Sequence, residues 1–355
     1  MLRRAILTMM ISFVLPVLSG AEDMAPEALR ESGHWKRLRQ MMEPRAGNPK
    51  DAQAAYFLSC AKSAFGDTDG AFDLAQRAVS LEPGNSQYHL QLGLVFGRKA
   101  SKASFLKAMS LAGQYKAELR KAVELDPKNI DAIWELMEYY WHAPGIAGGD
   151  QKKARSLADD IMRLNTAKGY LALAELTDKE ETDVEDYYRK AAQADPKSYE
   201  VQMRLAAFYV SDKHRNDGLA ERYAQQAIAL DPGRIGGYKV MAAVRAHQER
   251  WQELDALLRQ AESRVPDDLA AYFQAGLEIL LAGKDPSRSE AYLRKYLGQG
   301  EAEAYAPRYS RAHWRIGQVL AKQGRKAEAI AEMEAALRLE PNLEDARKDL
   351  KSLKQ

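Results

Sequence analysis

Prolines at a near-regular pitch constrain the fold of this chain more than any other feature. Eight of them are 34 to 69 residues apart, and three of the seven intervals are 34 residues. These prolines are Pro49, Pro83, Pro127, Pro196, Pro232, Pro266, Pro307 and Pro341. Most follow an apolar and an acidic residue, as in Leu125-Asp126-Pro127. Because proline cannot continue a helix and biases the preceding residue away from helical angles, each phrase ends one helix before the next begins. The period therefore predicts stacked helical hairpins.

The clearest unit runs from residue 310 to residue 343 and has the apolar spacing of two helices around a turn at Gly324. Small residues at Gly317 and Ala329 allow two antiparallel helices to approach closely, and Met333 fills the space beside them. Neither helix can bury its apolar face alone, so neighbouring units must supply the rest of the core.

The repeated pattern resembles the tetratricopeptide repeat, which pairs Leu-Gly and an aromatic residue on one helix with alanines and a closing proline on the next. Leu92-Gly93 with Phe96 and Leu205-Ala206 with Tyr209 match the first helix. Ala220, Ala227 and Pro232 match the second. The resemblance implies an all-α, right-handed superhelical solenoid, and it covers nearly all of residues 50–341.

The intervals predict eight hairpins between two capping helices, which lie in residues 22–49 and 342–355. The hairpins span about 50–83, 84–127, 128–165, 166–196, 197–232, 233–266, 267–307 and 308–341. The boundary near Leu164-Asn165 lacks its proline. Extra residues are expected at 97–111, at 142–150, and at either 283–289 or 298–304. At the N-terminal end, one amphipathic helix is expected from Pro26 to Met42.

The first 21 residues differ in kind from the rest. Arg3-Arg4 precede an apolar stretch that ends near Leu18, and Ser19-Gly20-Ala21 follow it. A basic start, a short apolar stretch and small residues at the exit are typical of a secretory signal peptide. We therefore expect export to a bacterial periplasm, no stable membrane insertion after cleavage, and cleavage after Ala21. Secretion and an uncleaved membrane anchor remain alternatives.

Residues with catalytic or metal-binding chemistry are few and scattered. No two of the six histidines have the i, i+4 spacing of a zinc site, and Cys60 is the only cysteine. We expect Cys60 to be a buried structural residue, with an intermolecular disulfide as the alternative. The Gly-rich segment at 142–150 lacks the Gly-Lys-Ser/Thr ending of a nucleotide loop, and Asp150 is expected to cap the next helix. The sequence therefore predicts no enzyme activity, no cofactor and no metal site.

Net charge gives no reason to expect nucleic acid, since it is only +2 and nucleic-acid-binding domains usually carry a strongly basic face. Arg98, Lys99, Lys102 and Lys107 form a local basic run in the longer second hairpin. A solvated helix face is the simplest interpretation of this run. An acidic partner or an anionic lipid is the alternative.

Without catalytic residues, recognition is the candidate function, because helical solenoids present an extended concave surface. The resemblance implies a non-catalytic scaffold or adaptor that binds a protein or peptide partner there. The chaperone-binding members of the family clamp a peptide carboxylate with Lys and Asn. Leu90, Leu94, Met203 and Ala207 stand at comparable places here, so that ligand is not carried over.

The first helices offer six solvent-facing candidates for partner binding, chosen because arginine and aromatic side chains often anchor interfaces. They are Arg204, Lys239, Arg311, Trp314, Arg315 and Gln318. Two alternatives remain open: an accessory subunit of an envelope polysaccharide or secretion machine, and a structural spacer. Aromatic residues beside acidic pairs would favour a sugar ligand, and a mixed groove would favour a peptide. A small, uniformly charged surface would favour the spacer.

Overall fold

A computed structural model of the chain describes residues 24–177 and 183–355. The predicted signal peptide at residues 1–21 lies outside these ranges. Within them the chain forms nineteen α-helices and two short 3-10 turns, and no strand. The predicted all-α solenoid of helical hairpins is confirmed.

Sixteen of these helices pair in chain order as antiparallel hairpins. The pairs are α3 (Ala52–Ala64) with α4 (Thr68–Leu81), α5 (Ser86–Ala100) with α6 (Phe105–Leu125), α7 (Ile130–His142) with α8 (Gln151–Leu164), α9 (Thr166–Glu175) with α10 (Asp183–Ala194), α11 (Tyr199–Val210) with α12 (Asp217–Leu230), α13 (Ile235–His247) with α14 (Trp251–Arg264), α15 (Ala270–Ala282) with α16 (Pro286–Leu297), and α17 (Tyr309–Lys322) with α18 (Lys326–Leu339). We call them hairpins one to eight, and call the earlier member of each pair its first helix.

The proline phrases form the turns between hairpins as expected. In the phrase around Pro127, Asp126 closes α6, and the Asn129 side chain accepts a hydrogen bond from the Ala132 N–H at the start of α7. Such N-caps satisfy a backbone donor that the helix itself leaves unpaired. Asn85 and Ser198 do the same two residues after their prolines.

At the boundary without a proline, one residue both ends one helix and caps the next one. Asn165 closes α8, and its side chain accepts a hydrogen bond of 2.9 Å from the Lys168 N–H of α9. Its extended backbone interrupts the helix, so an asparagine cap replaces proline as the signal for the turn.

Close helix packing explains the small residues of hairpin eight. A Cβ atom on Gly317 would lie 2.8 Å from Met333 Cγ and 3.2 Å from the Ala329 carbonyl oxygen. Both distances are shorter than normal van der Waals contact, so the two helices can approach this closely only with glycine here. The predicted contact between Gly317 and Ala329 is confirmed.

The extra residues occupy three different kinds of structure. In hairpin two they lengthen the helices, because α5 has 15 residues and α6 has 21. In hairpin three they form a loop with a 3-10 turn, Gly145–Ala147, and Asp150 caps α8 as expected. Of the two places considered near hairpin seven, the longer connection is at 298–308, since α15 and α16 are separated by only three residues.

The two ends of the solenoid differ from each other. The single N-terminal helix expected from Pro26 to Met42 is wrong: α1 (Pro26–Ser32) stops at Gly33, whose φ of 82° is left-handed, and α2 (Trp35–Ala46) follows. A glycine with this backbone commonly ends a helix. The C-terminal end carries one helix, α19 (Glu344–Lys354). No helix in the described ranges is both long and apolar enough to cross a membrane.

Candidate functional site

A cavity in two parts, here called the chamber, is lined mainly by the first helices of hairpins two to five. Its larger part has a volume of about 730 Å³, and a connected part beside α5 and α7 has about 250 Å³. Five residues line both parts, namely Arg30, Asp131, Lys168, Glu200 and Arg204. Because consecutive first helices pack side by side, residues far apart in the sequence face one cavity.

The N-terminal helices form one wall of this chamber through Arg30, Glu31 and Trp35. They belong to the chamber because α1 and α2 pack on α3. Leu29, Leu38 and Met42 hold them there, each at most 1% exposed. The wall is therefore anchored by an apolar face on hairpin one.

The opposite side of α2 reaches hairpin seven, more than two hundred residues away in sequence. The His34 Nδ1 and an Arg37 guanidinium nitrogen lie 3.2 and 3.0 Å from the carboxylate oxygens of Asp267. Arg39 donates two hydrogen bonds to Glu301, at 2.5 and 3.2 Å. The Lys36 backbone N–H contacts both carboxyl oxygens of Glu303 at 3.2 and 3.3 Å. We call this set of interactions the closure contact, because it links the N-terminal helices to the connections on either side of hairpin seven.

Two carboxyl groups of the closure contact have opposite pKa shifts. Burial raises the pKa of Glu303 to about 7, although the N–H groups of Ala304 and Lys36 partly offset it. Burial also acts to raise the pKa of Asp267, but the hydrogen bond from His34 and the charges of His34 and Arg37 bring it below its usual range. Asp267 therefore remains ionised at neutral pH, while Glu303 titrates near neutral pH.

Charges inside the chamber are close together but loosely paired. Lys168 Nζ lies 3.6 Å from Asp131, and guanidinium nitrogens of Arg204 and Arg30 lie 3.9 Å from Glu200 and Glu31. These separations exceed hydrogen-bond distance. The Arg30 Nε is buried and has no hydrogen-bond partner. The chamber thus retains donors and acceptors that a ligand can engage.

A half-buried carboxyl group adds a neutral donor to the lining. Burial, helped by the charge of Glu138, raises the pKa of Glu135 to about 7. The Tyr115 hydroxyl donates a 3.0 Å hydrogen bond to Glu135. A carboxyl group with this pKa can donate or accept a hydrogen bond near neutral pH.

Apolar side chains complete the lining, with Leu90 and Leu94 on α5, Trp134 on α7 and Met203 on α11. The Tyr199 ring is covered by the Arg234 guanidinium, 3.9 Å from its centroid. The surface is therefore mixed: apolar side chains alternate with charges of both signs. No three His, Cys, Asp or Glu side chains are grouped to hold a metal ion in the part of the chain that the structure describes.

Of the six predicted partner-binding residues, only Arg204 lines the chamber. Lys239 is half-buried on α13. Burial raises the pKa of Asp268, and the Ala270 N–H and the Lys239 charge partly offset that effect.

The other four candidates lie on α17, at the far end of the solenoid. Trp314 does not face solvent as expected: it is 5% exposed, and its Nε1 donates a 2.8 Å hydrogen bond to Asp349 on α19. The prediction failed because α19 covers this face. Arg311 is exposed, whereas Arg315 and Gln318 line a separate cavity of about 370 Å³ against α19.

The sequence analysis missed the other four charged residues that line both parts of the chamber. Asp131, Lys168 and Glu200 each fall within the first three residues of a first helix, so a register shared by neighbouring repeats could have identified them. Arg30 comes from the N-terminal helices, outside the repeat pattern, and nothing in the repeats could have placed it in the chamber.

The cysteine and two histidines have structural roles. Cys60 is buried on α3, and burial raises its pKa to about 12, so the thiol stays protonated and unreactive at neutral pH. His89 and His313 occupy matching places, each with Nδ1 2.6 Å from a glutamate of its hairpin, Glu118 and Glu332.

The hairpin architecture and the concave lining define a helical-repeat protein. A family model described as tetratricopeptide repeat matches residues 310–343, which include most of hairpin eight. No curated protein matches the chain.

Two solved structures are similar to the chain at low identity. The crystal structure of yeast Tom70 is 13% identical, with 93% of this chain and 86% of that chain covered and a TM-score of 0.48. A tetratricopeptide repeat protein from Parabacteroides merdae is 16% identical, with 86% and 99% covered and a TM-score of 0.45.

Proposed function

We propose that this chain is a non-catalytic scaffold or adaptor that binds an extended segment of a partner protein in the chamber. One observation carries the proposal: charged groups of both signs face the same cavity at distances too long to satisfy one another. The loosely paired Lys168 and Asp131 are the strongest examples. Charged groups without a close partner have hydrogen-bonding capacity left over, so a ligand that pairs with them gains affinity.

A polypeptide fits this lining better than other ligands. Its backbone alternates donors and acceptors, as the chamber alternates cations and carboxylates, and its side chains can pack on Leu94, Trp134 and Met203. The larger part of the chamber, with about 730 Å³, suits a short extended segment and has the volume of an ordinary ligand pocket.

The two alternatives have less support. A polysaccharide needs open aromatic faces for stacking, but Arg234 covers the Tyr199 ring and the Trp134 Nε1 already bonds Glu138 at 2.8 Å. A structural spacer needs no mixed cavity with unpaired donors. The low-identity likeness to Tom70 adds nothing on partners.

Action in the bacterial cell envelope is part of the proposal and rests on the signal-like residues 1–21. Sequencing of the mature N-terminus in fractionated cells tests it. A chain that begins after Ala21 in the periplasmic fraction supports export, and an intact Met1 on a cytoplasmic chain contradicts it.

Site-specific photo-crosslinking tests the binding role. A photoreactive residue replaces Ala207, which is exposed in the chamber, and a matched control replaces Ala327, which is exposed on α18. We expect the Ala207 probe to capture one protein reproducibly in cells, and the Ala327 probe not to capture it.

Substitutions in the lining complete the test. Arg30→Ala with Lys168→Ala should weaken capture from the Ala207 probe, while Arg311→Ala at the far end of the solenoid should leave it unchanged. If the two probes give the same pattern, or if the chamber substitutions have no effect while the fold is intact, the chamber is not the binding site.

A further inference from the structure

The tip of hairpin two exposes two large apolar side chains next to each other. Phe105 is 70% exposed and Leu106 is 82% exposed, at the first turn of α6. A soluble surface normally leaves such residues isolated, and adjacent ones indicate an interaction site. The chamber does not use them, since neither lines it.

Helix length makes this tip protrude. α6 has 21 residues, whereas the second helices of hairpins one, three and five have 14 each. The C-terminal end of α6 is fixed by the proline phrase, so its extra two turns extend the other end by roughly 10 Å. Phe105 and Leu106 sit on that extension.

The chain segment around the tip is basic. Residues 97–117 contain five Lys or Arg and no Asp or Glu. Lys99 is held by Asp69 at 2.5 Å and Lys102 by the Thr68 hydroxyl at 2.8 Å. Lys107 is exposed and makes no hydrogen bond or ion pair with the described part of the chain. The tip therefore combines exposed apolar side chains with positive charge.

The neighbouring hairpin extends this surface. Ile146 is 81% exposed on the 3-10 turn of hairpin three, which packs against α6. Lys152 is exposed at the start of α8 nearby in sequence. The connection between α5 and α6 and the connection between α7 and α8 are both turns within a hairpin. In stacked hairpins such turns lie on the same edge of the solenoid, so their apolar and basic residues share one side.

We propose that this edge, with Phe105, Leu106, Lys107 and Ile146 at its centre, docks on an anionic lipid surface. Apolar side chains at a protruding tip enter the acyl boundary, and the lysines around them pair with anionic headgroups. A protruding apolar pair suits a fluid lipid layer better than an acidic protein, because a protein partner would need a matching cleft. The proposal is independent of the chamber's function.

Sedimentation with lipid vesicles tests the proposal. The full chain is mixed with vesicles of equal parts phosphatidylglycerol and phosphatidylcholine, and with vesicles of phosphatidylcholine alone. We expect binding to the anionic vesicles that weakens as salt is raised, and little binding to the neutral ones.

Matched variants locate the contact. Phe105→Ser with Leu106→Ser should weaken partitioning roughly tenfold or more, and Lys107→Glu should weaken it roughly fivefold or more. Two controls should leave it unchanged: Leu339→Ser, at a leucine 59% exposed at the end of α18, and Lys128→Glu, at an exposed lysine in a turn on the other edge. Circular dichroism confirms that each variant remains folded.

Three results would overturn the proposal. The first is no binding to anionic vesicles at low salt. The second is equal losses in the tip variants and the controls. The third is binding to polyglutamate but not to vesicles, which would assign the surface to an acidic protein instead.

Discussion

The two ends of this solenoid are covered by terminal helices in different ways. At the C-terminal end, α19 covers only its neighbours, where Trp314, Leu343 and Ala346 pack together. At the N-terminal end, α1 and α2 cover hairpin one and also reach hairpin seven through the closure contact. Both are caps in the sense that a repeat array needs a polar-backed end.

The difference indicates that the N-terminal cap has a second role. Its apolar side completes a core, whereas its charged side joins distant hairpins and supplies Arg30 and Trp35 to the chamber. A cap that only sealed the core would need no such ion pairs. We therefore treat the N-terminal helices as part of the functional site and the C-terminal helix as a structural end.

The largest expected difference between the two ends is in how much their buried side chains contribute to the free energy of unfolding. Leu38→Ala removes a side chain that is 0% exposed and should lower the free energy of unfolding by about 2–5 kcal/mol. Leu350→Ala, at a half-buried leucine of α19, should cost less than about 1.5 kcal/mol. Urea unfolding of both variants measures the two values. Equal losses would show that the caps contribute alike.

A smaller effect is expected from the pH dependence of the closure contact. Burial raises the folded-state pKa of Glu303 to about 7, so the folded chain binds more protons than the unfolded one in mildly acidic solution. The contribution of Glu303 to stability is therefore fully present below the ordinary glutamate pKa of 4.5 and is lost progressively as pH rises from there to about 7. The lowered pKa of Asp267 keeps that group ionised over the same range.

Glu303→Gln tests this expectation because glutamine retains an acceptor for the Lys36 N–H but does not titrate. Above about pH 7 the variant should be more stable than the parent by about 1–3 kcal/mol, and below the ordinary glutamate pKa of 4.5 the two should be alike. Chemical denaturation across this pH range measures the difference. A parallel pH profile in both proteins would contradict the assignment.

The smallest effect on stability is expected at the hydrogen bonds that hold α19 against α17. Asp349 accepts hydrogen bonds from Trp314 Nε1 at 2.8 Å and from Gln318 Nε2 at 2.7 Å. Asp349→Ala should lower the free energy of unfolding by about 1 kcal/mol, because each neutral donor loses one partner. Faster amide hydrogen exchange confined to α19 is the expected readout, with the chamber helices unchanged. Faster exchange at α2 as well would mean that the two ends are coupled.

Local signals in the sequence predicted the hairpins well, but they could not predict contacts between residues far apart in the sequence. The turn at Asp126-Pro127 depends on residues within a few positions, so it can be recognised directly. The contact of His34 with Asp267 joins residues 233 apart and depends on how far the superhelix turns. No property of a single repeat specifies that.

The candidate site was predicted only in part for the same reason. Arg204 was found because it stands on a first helix and faces inward. Trp314 stands on a first helix too, but it is buried by α19, and only the packed structure reveals that cover. Arg30 was missed because it enters the chamber from outside the repeats.

The most direct test of this account is the distance between α2 and the loop of hairpin seven. Spin labels at Gln40 and Gly300, both exposed, would be measured by pulsed electron spin resonance in a Cys60→Ala background. The account predicts one narrow, short distance distribution, which lengthens and broadens when Arg37→Ala and Arg39→Ala remove the cations of the closure contact. A broad, long distribution that is already present without those substitutions would contradict it.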